Sequence, residues 1–186
     1  MKQIGRREWL DRAVVIALGS NLAGDHTSSE ALLDAALARL TELGLTVRER
    51  SSWWRSAAWP DPADPEFVNG VALNETAASP GELMGVLRGI EDDFGRRRLG
   101  ANAPRTLDLD LIAHGREVFD APGLIVPHPR AHERRFVMAP LAEIAPDWRH
   151  PVSGETAITL AERSIIGADA RLHVRPPLRR EARNAI

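Results

Sequence analysis

The chain has no cysteine and no tyrosine, and Lys2 is the only lysine among its 24 basic residues. Without cysteine there is no disulfide framework and no thiolate chemistry. A phosphate-binding P-loop needs a Gly-Lys-Ser/Thr triplet, and none exists here. Any handling of phosphate falls to arginine, whose planar fork suits phosphate oxygens. No apolar run approaches the roughly 20 residues of a membrane span. The N-terminal MKQIGRREWLDRA lacks the apolar centre of a signal peptide. The net charge is only −2, which argues against a general nucleic-acid binder. The expectation is a cytoplasmic protein without nucleic-acid or membrane partners. Its 186 residues, 44% of them apolar, suit one domain with a real core.

What is present falls into an order. AVVIALGS, 13–20, reads as a buried strand ending in a Gly-Ser-Asn turn. Leu32, Leu33, Ala36, Leu37 and Leu40 repeat at helical spacing within 28–44. LTVRERSSWWRS is a second strand, AAWPDPADPE a proline loop, and FVNGVALNET a third strand. Residues 79–95 form a helix with Pro80 in its first turn and Gly95 at its end. An arginine-rich loop, 96–105, leads into the strand of PRTLDLDLIAHG. This β-α-β-β-α-β order predicts an α+β, ferredoxin-like fold, with helices packed on a mainly antiparallel sheet. The strand with the aspartates is expected at its centre, beside the first. A short helix is expected near 137–145. The domain is expected over 13–160, with residues 1–12 and 171–186 as loosely ordered tails.

The aspartate strand raises the main question. Leu107, Leu109 and Leu111 alternate with Asp108 and Asp110, so both carboxylates share the face opposite the leucines. Either that face is simply wet, or something cationic sits on it. Arg96, Arg97, Arg98 and Arg105 precede the pair, and His128, Arg130, His132, Arg134 and Arg135 follow it. Carboxylates among arginines are consistent with plain ion pairs. They also fit metal-bound polyphosphate, with Mg²⁺ taking carboxylate and phosphate oxygens and arginines neutralising the rest. His128 and His132 stand four apart, but Pro127 and Pro129 argue against a helical zinc pair. His128 is better placed to donate to a phosphate. Trp59, inside the proline loop, is a candidate lid over substrate.

ALGSNL, FVNGVALNE, PRTLDLDLIAHG and VPHPRAHERRFVMAPLAEIAP together resemble the signatures of the 6-hydroxymethyl-7,8-dihydropterin pyrophosphokinase family, in order over about residues 13–150. The resemblance implies transfer of pyrophosphate from ATP to the pterin hydroxymethyl group, giving AMP, in folate synthesis. It implies two Mg²⁺ held by Asp108 and Asp110, with Arg96 and Arg105 as further catalytic residues. Glu91, Arg98, Leu111, His128 and Arg134 match positions around the nucleotide. The pterin is expected to stack between Phe67 and Phe136, with Asn69 on its amide edge. The backbone near Ser56 and Ala58 completes the rim, and Gly19 lies close to the substrate. Three places depart from the family pattern. Ala101-Asn102-Ala103 replaces Arg-Trp-Gly, Ser56-Ala57-Ala58 replaces Thr-Pro-Pro, and Pro129 replaces an aromatic.

Two other readings compete. A non-catalytic ferredoxin-like module that binds RNA would need aromatics on a basic sheet, where this sheet carries aspartates. A metal-dependent nucleotidyltransferase would release pyrophosphate in place of AMP.

Overall fold

Seven successive buried residues need cover on both faces, and Val14–Ser20 (β1) obtains it inside a sheet. The computed structural model describes residues 5–58, 61–96 and 104–174. Before β1 comes a short helix, Arg6–Leu10 (α1); after it come Ser29–Glu42 (α2), Thr46–Arg50 (β2), Trp53–Ser56 (β3) and Phe67–Glu75 (β4). Pro80–Asp93 (α3), Asp108–His114 (β5) and a hairpin of Phe119–Ala121 (β6) and Leu124–Val126 (β7) follow. The chain continues through a 3₁₀ turn, Ala131–Glu133, then Arg135–Ile144 (α4), Ala157–Arg163 (α5) and Arg171–Val174 (β8). The main sheet runs β5-β1-β4-β3-β8, with β2 also paired to β4. The pairings among β1 to β5 are antiparallel, as the ferredoxin-like expectation requires.

Both helices of the expected pattern start on serine caps. Ser28 Oγ accepts from Ala31 N at 3.2 Å, and Ser79 forms a reciprocal capping box with Glu82 ahead of Pro80. Their apolar stripes meet one sheet face. Leu32, Leu33, Leu40, Leu83, Leu87 and Ile90 pack on Val14, Ile16, Leu18, Leu107, Leu109 and Leu111. Each such side chain contributes about 1.5–3 kcal/mol by leaving water. The opposite face is also covered: Val15, Ala17, Val71, Leu73 and Ile112 pack with Val137, Met138 and Leu141 of α4, and with Trp148 and Leu160. The cover stops short of the aspartates, whose side chains keep 28% and 34% exposure.

Four expectations need correction. β5 is not central; it is the last strand of the sheet, with β1 on one side. An edge tolerates charges that a sheet centre would strand away from water. The single strand expected over 45–56 is two, because Ser51 and Ser52 turn out of line. Ser51 Oγ accepts from Val71 N at 3.0 Å, and Ser52 N donates to Glu143 Oε1 of α4 at 3.1 Å. Residues 6–10 are not loose but helical. Leu10 is buried, and Trp9 Nε1 donates to Glu75 Oε1 at 2.8 Å. Of the expected C-terminal tail, residues 171–174 form a strand on β3. One irregularity falls in β5: its register on β1 slips between Val15 and Ile16, so Ile112 bulges, and both Ile112 and Ala113 join the second core.

Candidate active site

Strand register sets the site. Directly opposed residues share a face, and pairing aligns Trp54, Asn69, Gly19 and Asp108 across β3, β4, β1 and β5. The next row on that face is Val71, Ala17 and Asp110. Gly19 leaves a gap in the first row. A Cβ there would lie 3.4 Å from Asn69 Oδ1 and 3.8 Å from both Asp108 Cβ and Phe67 Cδ1. The glycine therefore makes a flat floor between an amide on one side and a carboxylate on the other.

The carboxylate side is dense in charge. Asp108 Oδ1 accepts Arg96 Nη1 at 2.8 Å and Arg105 Nη1 at 3.1 Å. Asp110 Oδ2 lies 3.5 Å from Arg134 Nη1. Glu91, on the last turns of α3, is buried; it pairs with Arg96 Nη1 and accepts from Leu109 N at 2.8 Å. That bond ties α3 to the strand that carries the aspartates. Burial pushes the Glu91 carboxyl above its ordinary range. Burial, then the neighbouring Asp108, does the same to Asp110, against the pull of His128 and Arg134. His128 is held low by burial, which outweighs the attraction of Asp110. Its Nδ1 accepts from Arg130 N at 3.2 Å, so Nε2 carries the ring proton. Its own N–H donates to the carbonyl of the bulged Ile112 at 2.9 Å.

The other side is neutral. Asn69 Nδ2 donates to Ser56 Oγ at 3.0 Å, and Ala58 is buried beside it in sequence. The Arg105 guanidinium stands 6.0 Å from the Phe67 ring centre, and that of Arg134 stands 5.8 Å from the Phe136 ring centre. These arginines therefore join the two sides through cation–π contacts.

Of the residues singled out by sequence, Gly19, Ser56, Phe67, Asn69, Glu91, Arg96, Arg105, Asp108, Asp110, His128, Arg134 and Phe136 meet around this one end of the sheet. Leu111 does not join them: its side chain points through the sheet into the α2/α3 core. Arg98 lies outside the described residues, as do Trp59 and Ala101–Ala103. One residue was missed. Asn21, 6% exposed, accepts from Arg105 N at 2.8 Å through Oδ1 and donates to Pro65 O at 3.1 Å through Nδ2. It clasps the ends of both loops that border the site. In sequence it is only a turn residue after Gly-Ser, and nothing local announces a buried amide.

The donor set suits a hard cation. Two half-exposed carboxylates offer oxygen alone, and among the described residues no group of three or more His, Asp or Glu side chains could hold a metal. A cation here must complete its shell with water or ligand oxygens, as Mg²⁺ does beside phosphates. Among the described residues no helix is long and apolar enough to cross a membrane.

Comparisons with known proteins bear on the family of the chain. The family model of 7,8-dihydro-6-hydroxymethylpterin-pyrophosphokinase (HPPK) matches residues 15–146. A 2-amino-4-hydroxy-6-hydroxymethyldihydropteridine pyrophosphokinase of Synechocystis sp. is 43% identical over 150 residues, covering 80% of this chain and 74% of that protein. A protein of the same name from Pseudomonas aeruginosa is 43% identical over 138 residues, covering 74% of this chain and 83% of that one. The crystal structure of wild-type Plasmodium falciparum HPPK-DHPS with SDX-DHP aligns with a TM-score of 0.59 at 12% identity, over 81% of this chain. This chain spans 43% of that longer one, and at such identity the likeness concerns the fold.

Proposed function

This chain belongs to the 7,8-dihydro-6-hydroxymethylpterin-pyrophosphokinase family, and we propose that its charged and neutral half-sites divide the work of that reaction. The reaction moves pyrophosphate from ATP to the hydroxyl of 6-hydroxymethyl-7,8-dihydropterin and leaves AMP, a step of folate synthesis. Asp108 and Asp110 would hold two Mg²⁺, with phosphate oxygens and water completing each shell. Bound there, the ions supply charge neutralisation and a lowered hydroxyl pKa. Arg96, Arg105 and Arg134 exchange their carboxylate partners for phosphate oxygens as the ligand arrives. His128 donates from Nε2 to phosphate. Glu91 orients Arg96 and keeps α3 fastened to β5. Asn69 reads the pterin amide edge, and Phe67 and Phe136 stack on its ring. The hydroxyl then attacks the β-phosphorus in line, with no covalent enzyme intermediate. The compartment proposed for this reaction is the cytoplasm.

The row Asn69–Gly19–Asp108 carries this reading. It sets an amide that can recognise a heterocycle and a carboxylate that can hold a metal on either side of a side-chain-free gap. Product analysis with ATP, Mg²⁺ and the reduced pterin tests it. AMP together with the pterin diphosphate is expected. ADP would indicate a simple kinase, and free pyrophosphate a nucleotidyltransferase.

A further inference from the structure

Beyond residues 15–146, which the family model matches, the chain turns back toward the cleft. After α5, residues 164–174 meet the elements of the pterin half-site at three points. Gly167, with φ +70°, lies against Phe136, and a Cβ on it would stand 2.5 Å from Phe136 Cδ1. Asp169 Oδ2 accepts from Ala57 N at 2.5 Å. Arg171 Nη2 donates to Glu66 Oε1 at 2.6 Å, one residue before Phe67. The segment is itself well anchored. Arg135 N donates to Ile166 O at 2.8 Å, Ile166 N to Glu133 O at 3.2 Å, and β8 pairs with β3.

These contacts have a common effect. Ala57 and Ala58 have no ring to fix φ and no side-chain polar group to set their peptide planes. The Ala57 N–H is therefore oriented from outside, by a carboxylate. The Phe136 ring can lie where it does only because residue 167 has no Cβ, so that residue seats the ring.

We propose that residues 164–174 form a strap that shapes the pterin half-site, with Asp169 as the positioning residue for the Ser56–Ala58 rim and Gly167 as the seat of Phe136. The proposal rests on the assignment of the pterin to Phe67, Asn69 and Phe136. Its ligand class is therefore the flat bicyclic heteroaromatic substrate and not the nucleotide.

The test uses the full chain and four variants: Asp169→Ala, Asp169→Asn, Gly167→Ala and Asn69→Ala. Each is titrated with reduced pterin and, separately, with a non-hydrolysable ATP analogue plus Mg²⁺. Asp169→Ala is expected to raise the pterin Kd about tenfold, the loss of one charge-assisted hydrogen bond, while nucleotide affinity holds within about twofold. Asp169→Asn, whose Oδ1 still accepts the Ala57 N–H, should recover most of that loss. Gly167→Ala should also act on pterin alone. Unchanged pterin affinity in Asp169→Ala, beside a clear loss in Asn69→Ala, overturns the strap and leaves the half-site standing. An equal loss of both ligands in Asp169→Ala, or no recovery in Asp169→Asn, reduces the segment to scaffolding and also overturns the proposal. Unchanged pterin affinity in Asn69→Ala overturns the half-site assignment, and the strap's role with it.

Discussion

On the β5 side of Gly19, charged side chains already hold their opposites: Asp108 with Arg96 and Arg105, Asp110 with Arg134, Glu91 with Arg96. On the β4 side, Asn69, Ser56 and the two phenylalanines carry no charge and take their places from strand register and packing. The first region is arranged for exchange. On the proposed reading its arginines stand where incoming cations would sit and move to phosphates, so binding there would swap partners and weaken as salt screens it. The second is arranged for fit. Its buried amide gains or loses whole hydrogen bonds according to the ring presented. In the proposed division, charge on one side captures a ligand class that water solvates strongly, and geometry on the other selects a shape.

The comparison breaks most sharply at the aspartates. Asp108→Ala or Asp110→Ala should lower kcat on the order of 10³-fold or more, because metal-borne stabilisation amounts to several kcal/mol. The fold should survive, since each change removes one of two repelling carboxylates; far-UV circular dichroism beside a steady-state assay checks both points. Next in size, Asn69→Ala should weaken pterin binding roughly 10- to 100-fold, the loss of about 1–3 kcal/mol for an unpaired buried edge. Its nucleotide affinity should stay near wild type by calorimetry. Arg105→Ala and Arg134→Ala should reverse that pattern, costing the ATP analogue about tenfold and flattening the salt dependence of its binding. If Asn69→Ala loses nucleotide and keeps pterin, the two halves have been assigned the wrong way round.

The smallest effect is a pH dependence on the charged side. Burial raises Glu91 above its ordinary value of 4.5, so the folded protein holds this proton more tightly than the unfolded chain. The associated stability is present below pH 4.5 and is lost as pH rises through the higher folded value. Glu91→Gln should remove that slope, a change visible in urea midpoints measured from pH 4.5 upward. Parallel profiles for the two proteins would mean that Arg96 compensates the carboxylate fully.

Much of this was legible in the order of residues. The spacing of Leu32 to Leu40, and Pro80 with Gly95, announced the two helices, because periodicity and backbone limits are local. The two-residue period of Leu107 to Leu111 placed both aspartates on one face, because alternation follows from backbone geometry alone. What escaped depended on distant partners. The break at Ser51–Ser52 is made by Val71 and Glu143, and β8 exists because β3 offers it an edge. The edge position of β5 depends on sheet order, which its own composition does not state. Asn21, Gly167 and Asp169 look like ordinary turn residues; their roles appear only where the chain returns to the same place. Leu111 shows the converse error, since a residue beside a functional one in sequence belongs by alternation to the opposite face.

The bulge at Ile112 acts as a parity bit for β5. Upstream of it, even-numbered positions face the cleft; at Ala113 an odd-numbered one takes the same side, opposite Val15. The extra residue lets one strand satisfy two incompatible alternations. Deleting it would leave Leu111 and Ala113 consecutive and still opposite Ile16 and Val15, so both aspartates and Ala113 would keep their faces. What would be lost is the Ile112 side chain in the second core and the carbonyl that accepts the His128 N–H. Loss of a single codon for an unremarkable isoleucine would thus leave both carboxylates in register and instead release the backbone that seats His128, whereas its replacement by valine would be nearly silent.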